Sequence, residues 1–569
     1  MATVTFAPTV DSSVEEMITQ ISIMIFDAEI VSQSLTESVF EFEDFTYYLT
    51  VSASGGGTIE GLVVEENDQP YMGIANLGIS VADFDEAAEA EGDGTDLAAL
   101  ENLFLSLDWE YIGNDNDDIH LSTAVTDDGV PLNFTGDDTI YLNGGNDNFA
   151  LGDGNDYAEG GDGNDTLFGG KGSDNLLGGD GDDKLYGNKG ADTLIGGLGF
   201  DYFEGGKGDD IFIGGIELDD ATDAGWDIVS YLNESGGQGI VVDMAAGTAI
   251  DTFGNTDTLN GIEMVWGSVL ADKMVGSDGD DSFRASDGKD ILKGKGGDDR
   301  LEGGKGADIV KGGAGNDDLY GDFGNDKLFG GKGNDSFFGS RGDDKINGGA
   351  GIDTAYYLLA QNPGTQGIDA DIGRGTVIDT FGDTDTISNI ESIVGSIFND
   401  RIVGDAGDNN LAGFDGDDFI NGKGGDDEIT GGNGGDEMLG GKGDDRLYGS
   451  AGNDLIKGGK GNDTLLGEDN DDILLGGKGA DELNGGDGDD TLDGGKGDDM
   501  LIGGDGADLF IIGIDGGDDI IEDFDVTLDT LQFEDNSNVT FSQQGDDVLF
   551  SNGNESALLL NNDVSDFII

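Results

Sequence analysis

Gly160-Gly161-Asp162-Gly163-Asn164-Asp165-Thr166-Leu167-Phe168 is one unit of a nine-residue repeat, and its reading decides the fold. The aspartate that closes its glycine-rich hexamer recurs at Asp138, Asp147, Asp156, Asp165, Asp174, Asp183, Asp192, Asp201 and Asp210. It returns at Asp281, Asp290, Asp299, Asp308, Asp317, Asp326, Asp335, Asp344 and Asp353. A third run is Asp418, Asp427, Asp436, Asp445, Asp454, Asp463, Asp472, Asp481, Asp490, Asp499 and Asp508. Two places beyond each aspartate stands an apolar residue, as at Leu167, Leu176, Leu185, Leu194, Phe203 and Phe212. Disorder gives no reason to keep an apolar residue at every ninth position. A stacked repeat does, because each unit buries its apolar face only against its neighbours.

Within the unit, glycines stand where the chain turns tightly and a Cβ is not tolerated. The three residues after the aspartate place one apolar side chain inward between two outward ones, a very short strand. Two nonapeptides then complete a coil of two facing strands, and coils stacked at about 4.8 Å give two parallel sheets around a thin aliphatic core. One apolar side chain per strand is too little to offset the ordering entropy of so many glycines. The turns are expected to supply the rest. Superposed Gly-Gly-x-Gly-x-Asp turns line a groove with carboxylates and backbone carbonyls. Such an all-oxygen set suits a hard divalent cation, calcium before magnesium, and without a counter-ion its carboxylates repel. All twenty-nine aspartates are therefore candidate metal ligands for many calcium ions, with turn glycines offering carbonyls.

This pattern resembles the RTX (repeats-in-toxin, hemolysin-type) calcium-binding nonapeptide of bacterial secreted proteins, over roughly residues 136–512. The resemblance implies an all-β fold, a parallel β-roll with calcium in its turns. After the third run, Asp518-Asp519-Ile520-Ile521-Glu522-Asp523-Phe524 and Asp529-Thr530-Leu531 look like the strand pair that caps such rolls. The final Asp566-Phe567-Ile568-Ile569 resembles the uncleaved signal read by type I secretion machinery. The opening MATVTFAPTVDSS shows no basic n-region and no long apolar stretch, so no Sec signal peptide is expected. Together these imply a secreted protein, extracellular or at the cell surface.

The two-strand coil has its own signature in the third residue of each turn. Lys171, Lys189 and Lys207 alternate with Asp162, Asp180 and Leu198. Lys442, Lys460, Lys478 and Lys496 alternate with Asn433, Ala451, Asp469, Asp487 and Asp505. An eighteen-residue alternation puts lysines on one edge and the other residues on the opposite edge. The middle run is looser, with Lys305, Phe323 and Arg341 against Gly296, Ala314, Lys332 and Ala350.

The chain carries 122 Asp plus Glu against 25 Lys plus Arg, a formal charge of −97. That load self-repels, so the metal-free chain is expected to be expanded and the calcium form compact, with folding linked to binding. Nucleic acid is excluded as a partner, since phosphate binding needs a basic surface. There is no cysteine, hence no disulfide or thiol chemistry. No run of eighteen apolar residues exists, so no membrane span is expected.

The organisation reads as follows: an N-terminal β-rich domain with one helix at 1–112; pre-repeats and a first roll block at 113–213; insert one at 214–271; a second block at 272–353; insert two at 354–400; a third block at 401–512; and a cap with secretion signal at 513–569. Strands are expected at 21–25, from Phe40 through Val51, and from Ile59 to Val64, with an amphipathic helix over 97–107. The inserts are copies. Gly225-Trp226-Asp227-Ile228-Val229-Ser230-Tyr231 aligns with Gly351-Ile352-Asp353-Thr354-Ala355-Tyr356-Tyr357, and both lead to Ile-Asp-Thr-Phe-Gly at 250–254 and 378–382. They are expected to continue the solenoid with wider turns, their aromatic residues Trp226, Tyr231 and Tyr357 filling the core. A ligand pocket is the alternative.

No catalytic constellation emerges. His120 is the only histidine, which removes a HExxH zinc site, and no G-x-S-x-G elbow occurs. Carboxylate pairs are everywhere among so many acids and distinguish nothing. The expected function is non-enzymatic: a calcium-stiffened, self-associating surface-layer, filament or matrix component. The alternative is a secreted adhesin whose N-terminal domain holds a protein or a cell-surface polysaccharide.

Overall fold

The computed structural model describes residues 135–215, 226–358, 364–513, 517–533, 540–544, 547–551 and 556–560, together with the backbone of the strands that precede residue 135. The expected strand at 21–25, the helix at 97–107 and the terminal tetrapeptide at 566–569 lie outside the described residues. The chain forms two compact units, Met1–Gly276 with Ser282–Ser286, and Ser277–Asp281 with Asp287–Ile569.

Each unit contains a parallel β-solenoid whose coil is eighteen residues long. In the first unit, Tyr157–Asp162, Asn175–Asp180, Thr193–Leu198 and Ile211–Gly215 stack in register on one sheet. The facing sheet stacks Asn148–Asp153, Thr166–Lys171, Lys184–Lys189 and Tyr202–Lys207. The apolar ruler points inward throughout: Leu167, Leu176, Leu185, Leu194, Phe203 and Phe212 are fully buried. On the outer face, neighbouring rings stack along the sheet, as at Phe168 and Tyr186, 4.7 Å apart. In the second unit, Glu437–Lys442, Leu455–Lys460, Ile473–Lys478 and Thr491–Lys496 form one sheet. Arg446–Ala451, Thr464–Asp469, Glu482–Asp487 and Met500–Asp505 form the other.

These strands are five or six residues long, about twice the three that alternation predicts. Stacked turns of identical shape present their own N–H and C=O groups at the strand spacing, so the ladder runs on through the glycines. The approach is close enough to exclude side chains. A Cβ on Gly479, whose φ is 136°, would sit 1.6 Å from the Gly461 carbonyl oxygen one coil away.

The inserts depart from a simple widening of the coil. Ile228–Ser230 does pair in parallel with Met264–Trp266. Between them, however, Val241–Asp243, Thr248–Ile250 and Thr256–Asn260 pair antiparallel around a 3-10 turn, Met244–Ala246, capped by Asp243 and by Gly247 at φ 62°. The second copy repeats this with Asp369–Asp371, Thr376–Ile378 and Thr384–Ser388, with Asp371 and Gly375 as caps. The reason is local: each hairpin closes on an Asx cap and a left-handed glycine, signals that strand alternation does not carry. Tyr231 and Tyr357 are buried as core, whereas Trp226 is 38% exposed and fills none.

The second unit ends in an antiparallel set, Thr540–Gln544, Asp547–Ser551 and Ser556–Leu559, whose last strand joins Asp518–Ile521 in parallel. Near the N-terminus, Ser38–Phe42, Phe45–Ser54, Thr58–Glu66 and Gln69–Ser80 form a four-stranded antiparallel sheet that takes in the strands expected at 40–51 and 59–64. Among the described residues, no helix is long and apolar enough to cross a membrane.

Leu474 is fully buried between Ile456 and Leu492 in its sheet, while Leu475 beside it faces outward. With calcium present, Leu474→Ala should lower stability by roughly 2–4 kcal/mol and Leu475→Ala by less than about 1 kcal/mol, read from chemical-denaturation midpoints.

Candidate metal centre: the stacked aspartate files

All twenty-nine ruler aspartates are buried, none more than 3% exposed. They stand in files at eighteen-residue spacing, and each file is stitched by one contact type. The backbone N–H of one aspartate donates to Oδ1 of the aspartate one coil on, as from Asp147 to Asp165 at 2.8 Å and from Asp165 to Asp183 at 2.7 Å. The alternate file runs from Asp138 through Asp156, Asp174 and Asp192 to Asp210. In the second unit one file runs from Asp281 to Asp353 and another from Asp290 to Asp344. The third run's files pass from Asp418 to Asp508 and from Asp427 to Asp499.

The stitch uses one carboxylate oxygen. The other, Oδ2, is buried without a hydrogen-bond partner at Asp174, Asp183, Asp192, Asp299, Asp344 and every ruler position from Asp418 to Asp508. It points into the space that the missing side chain of a turn glycine leaves open. The position of a Cβ on Gly178 lies 2.1 Å from Asp183 Oδ2 and 2.7 Å from the Gly196 carbonyl oxygen; on Gly485 the distances are 2.2 Å to Asp490 Oδ2 and 2.6 Å to Gly503 oxygen. A carboxylate oxygen and a glycine carbonyl from the next coil thus converge on one small cradle. Among the described residues, no three carboxylate or imidazole side chains close on a point. A cation held here therefore takes part of its shell from backbone carbonyls. Orphaned carboxylate oxygens beside carbonyls are the donor set of a hard divalent cation, and the residues fit calcium.

Two features escape the nine-residue ruler. The residue before each ruler aspartate forms a counter-file that stitches in the opposite chain direction. Asn146 Oδ1 accepts from the N–H of Asn164, whose own Oδ1 accepts from Asp182. Its signal is a short polar residue recurring at that place, as in Asn146, Asn155, Asn164, Ser173 and Asp182. The aspartate files also continue off the ruler. Asp227 and Asp257 take the next places in the first unit, Asp385 and Asp400 flank the second insert's turns, and Asp519 and Asp529 end the files toward the cap. Each keeps an Asp-x-apolar triplet, the trace that sequence retains of them, as in Asp257-Thr258-Leu259 and Asp529-Thr530-Leu531. His120 lies on the short strand Ile119–His120, paired with Phe149.

Burial is the main force on the ruler carboxyls and raises them, against the lowering effect of the stitching amide. Asp174 is pushed up to about 6, Asp192 to about 7, Asp183, Asp418 and Asp472 to about 8, and Asp344 to about 9. A carboxyl raised by folding favours the folded state below its unfolded value, near pH 4, and loses that contribution as pH climbs through its folded value. In EDTA the repeats should therefore be more compact at pH 4 than at pH 8, and calcium at pH 8 should restore compactness. Small-angle scattering with far-ultraviolet circular dichroism checks this; equal dimensions at both pH values without calcium would contradict it.

The model of the RTX calcium-binding nonapeptide repeat family matches this chain in overlapping segments covering 135–219, 266–355 and 394–510, more than half of its length. No curated protein matches it. Among solved structures, the extracellular lipase LipA from Serratia marcescens shares 17% identity over 52% of this chain and 38% of its own, with a TM-score of 0.14. This chain thus spans well under half of that lipase, and a likeness at that score carries no argument about fold or activity. The repeats themselves decide the matter: this chain belongs to the RTX calcium-binding nonapeptide repeat family.

Proposed function

We propose that this protein is a secreted, calcium-stiffened and self-associating component of a cell surface or extracellular matrix, surface-layer-like or filamentous. The carrying observation is a pair of charge ladders in the second unit. Lys442, Lys460, Lys478 and Lys496 stand in register on one sheet, all exposed. Asp469, Asp487 and Asp505 stand in register on the other, also exposed. Like charges at strand spacing are unfavourable within one molecule. Among the described residues no ion pair engages Lys442, Lys460 or Lys478, in contrast to Lys171 and Lys305, which pair with Asp153 and Asp287 one coil back. An acidic edge of a second molecule would relieve the lysine ladder.

Calcium is held at the ruler aspartates, Oδ2 and turn carbonyls supplying the ligands and the ion cancelling the repulsion along each file. The seven-part division at 112, 213, 271, 353, 400 and 512, and export by type I machinery, complete this reading. Support for a non-catalytic role comes from the residues present: one histidine, no cysteine and no G-x-S-x-G. A second reading, an adhesin, is favoured by the antiparallel sheet from Ser38 to Ser80, which stands apart from the nonapeptide pattern.

Electron microscopy of the purified protein with and without calcium separates the two. Ordered arrays or filaments in calcium support the structural role, and dispersed particles the adhesin. Reversing the charge of Lys442, Lys460, Lys478 and Lys496 to glutamate, or raising salt to about 1 M, should dissolve the assemblies, because exposed contacts of this kind are screened. Assembly unchanged by both would reduce the ladders to surface decoration.

A further inference from the structure

Each insert places in the files an aspartate, Asp257 or Asp385, whose second oxygen is already engaged by a hydroxyl, unlike the orphaned Oδ2 of ruler positions such as Asp183 and Asp490. Asp257 Oδ1 accepts the Asp210 amide at 3.0 Å, as a ruler aspartate would, but its Oδ2 accepts the Tyr231 hydroxyl at 3.0 Å. In the second copy, Asp385 Oδ1 accepts the Asp344 amide at 3.0 Å and its Oδ2 the Tyr357 hydroxyl at 3.2 Å. The tyrosines occupy a telling place. Tyr231 is four residues after Asp227 and Tyr357 four after Asp353, the place that the first turn glycine takes after a ruler aspartate, as Gly169 does after Asp165. That glycine is the one whose absent side chain leaves the cradle open.

At the exit of each insert a serine also donates to a file aspartate, as Ser277 does to the ruler residue Asp281, but the glycine cradles at Gly267 and Gly395 stay open there. Ser268 donates its amide to Asp272 Oδ2 and its hydroxyl to Oδ1, both at 2.8 Å, while Oδ1 also accepts the Ile240 amide. Ser396 engages Asp400 identically, with the Ile368 amide as third donor. Asp257, Asp272, Asp385 and Asp400 are all buried.

We infer that the calcium files are interrupted once in each insert: the Tyr231 and Tyr357 hydroxyls take the place of the metal at Asp257 and Asp385, which makes these insert positions independent of calcium. This rests on the reading that the ruler aspartates bind calcium. The physical ground is satisfaction. A buried carboxylate with a protein donor on each oxygen is stable without an ion, whereas one with a single amide and an orphaned Oδ2 is not. The inserts also own a local core, with Tyr231, Ile240, Val242, Ala249 and Val265 buried in the first, and local antiparallel pairing that needs no distant coil.

Hydrogen–deuterium exchange of the full chain, in calcium and in EDTA at neutral pH, tests this. Segments 229–231, 256–260, 355–357 and 384–388 should keep their protection in EDTA, while ruler turns such as 172–183 and 441–463 lose it. If insert segments lose protection together with the ruler turns, the inference fails although the calcium reading stands. If the ruler turns keep theirs in EDTA, the calcium reading fails and the inference with it. Tyr231→Phe combined with Tyr357→Phe keeps ring volume but removes both hydroxyls. Insert exchange in EDTA should then quicken roughly tenfold or more, the size expected for one lost hydrogen bond to a buried charge, while exchange in calcium changes little at the ruler turns. Unchanged insert protection in the double variant would overturn the role assigned to the hydroxyls.

Discussion

A carboxylate that has given up its water and gained a single amide donor is a liability at neutral pH, and this fold repeats that liability once in every nonapeptide. The stitch from each aspartate amide to the carboxylate one coil on fixes the eighteen-residue register, buries the side chain and leaves Oδ2 facing a glycine-made cradle. Uncompensated burial of charge costs several kcal/mol per group. The thin core, one apolar side chain per strand, cannot offset a sum of that kind. On the proposed reading an ion fills the cradle as a structural part of the roll, and the turn glycines serve less for flexibility than for the volume their missing side chains leave.

On the proposed reading, a chain of charge −97 whose compact state takes up many divalent ions should expand where calcium is scarce and close where it is abundant. The same linkage fits the proposed export, in which an open chain becomes rigid once it meets calcium.

Much of this was legible in the residues because two exact periods, nine for aspartate and eighteen for the third turn residue, constrain topology more tightly than propensity does. Lys460 pairs with both Lys442 and Lys478, as that alternation requires. What stayed hidden is what periodicity cannot encode. The continuation of strands through the glycines arises from stacking of backbone groups, not from side chains. The antiparallel hairpins of the inserts depend on Asx caps and left-handed glycines at Gly247 and Gly375. The counter-file of Asn146, Asn164 and their mates was visible as composition but not as hydrogen bonding. Asp257 and Asp385 sit off the ruler, so only the coordinates reveal that they keep the files' register.

Each glycine cradle beside an orphaned Oδ2 is proposed to hold an ion. A high-resolution diffraction map of the calcium-loaded protein, with anomalous differences to identify the metal, tests it most directly. Peaks should recur coil after coil along both files, about 2.3–2.6 Å from Oδ2 of residues such as Asp174, Asp192, Asp436 and Asp454. A map with only one or two ions, and the ruler carboxylates still facing empty cradles in an intact roll, would contradict the account.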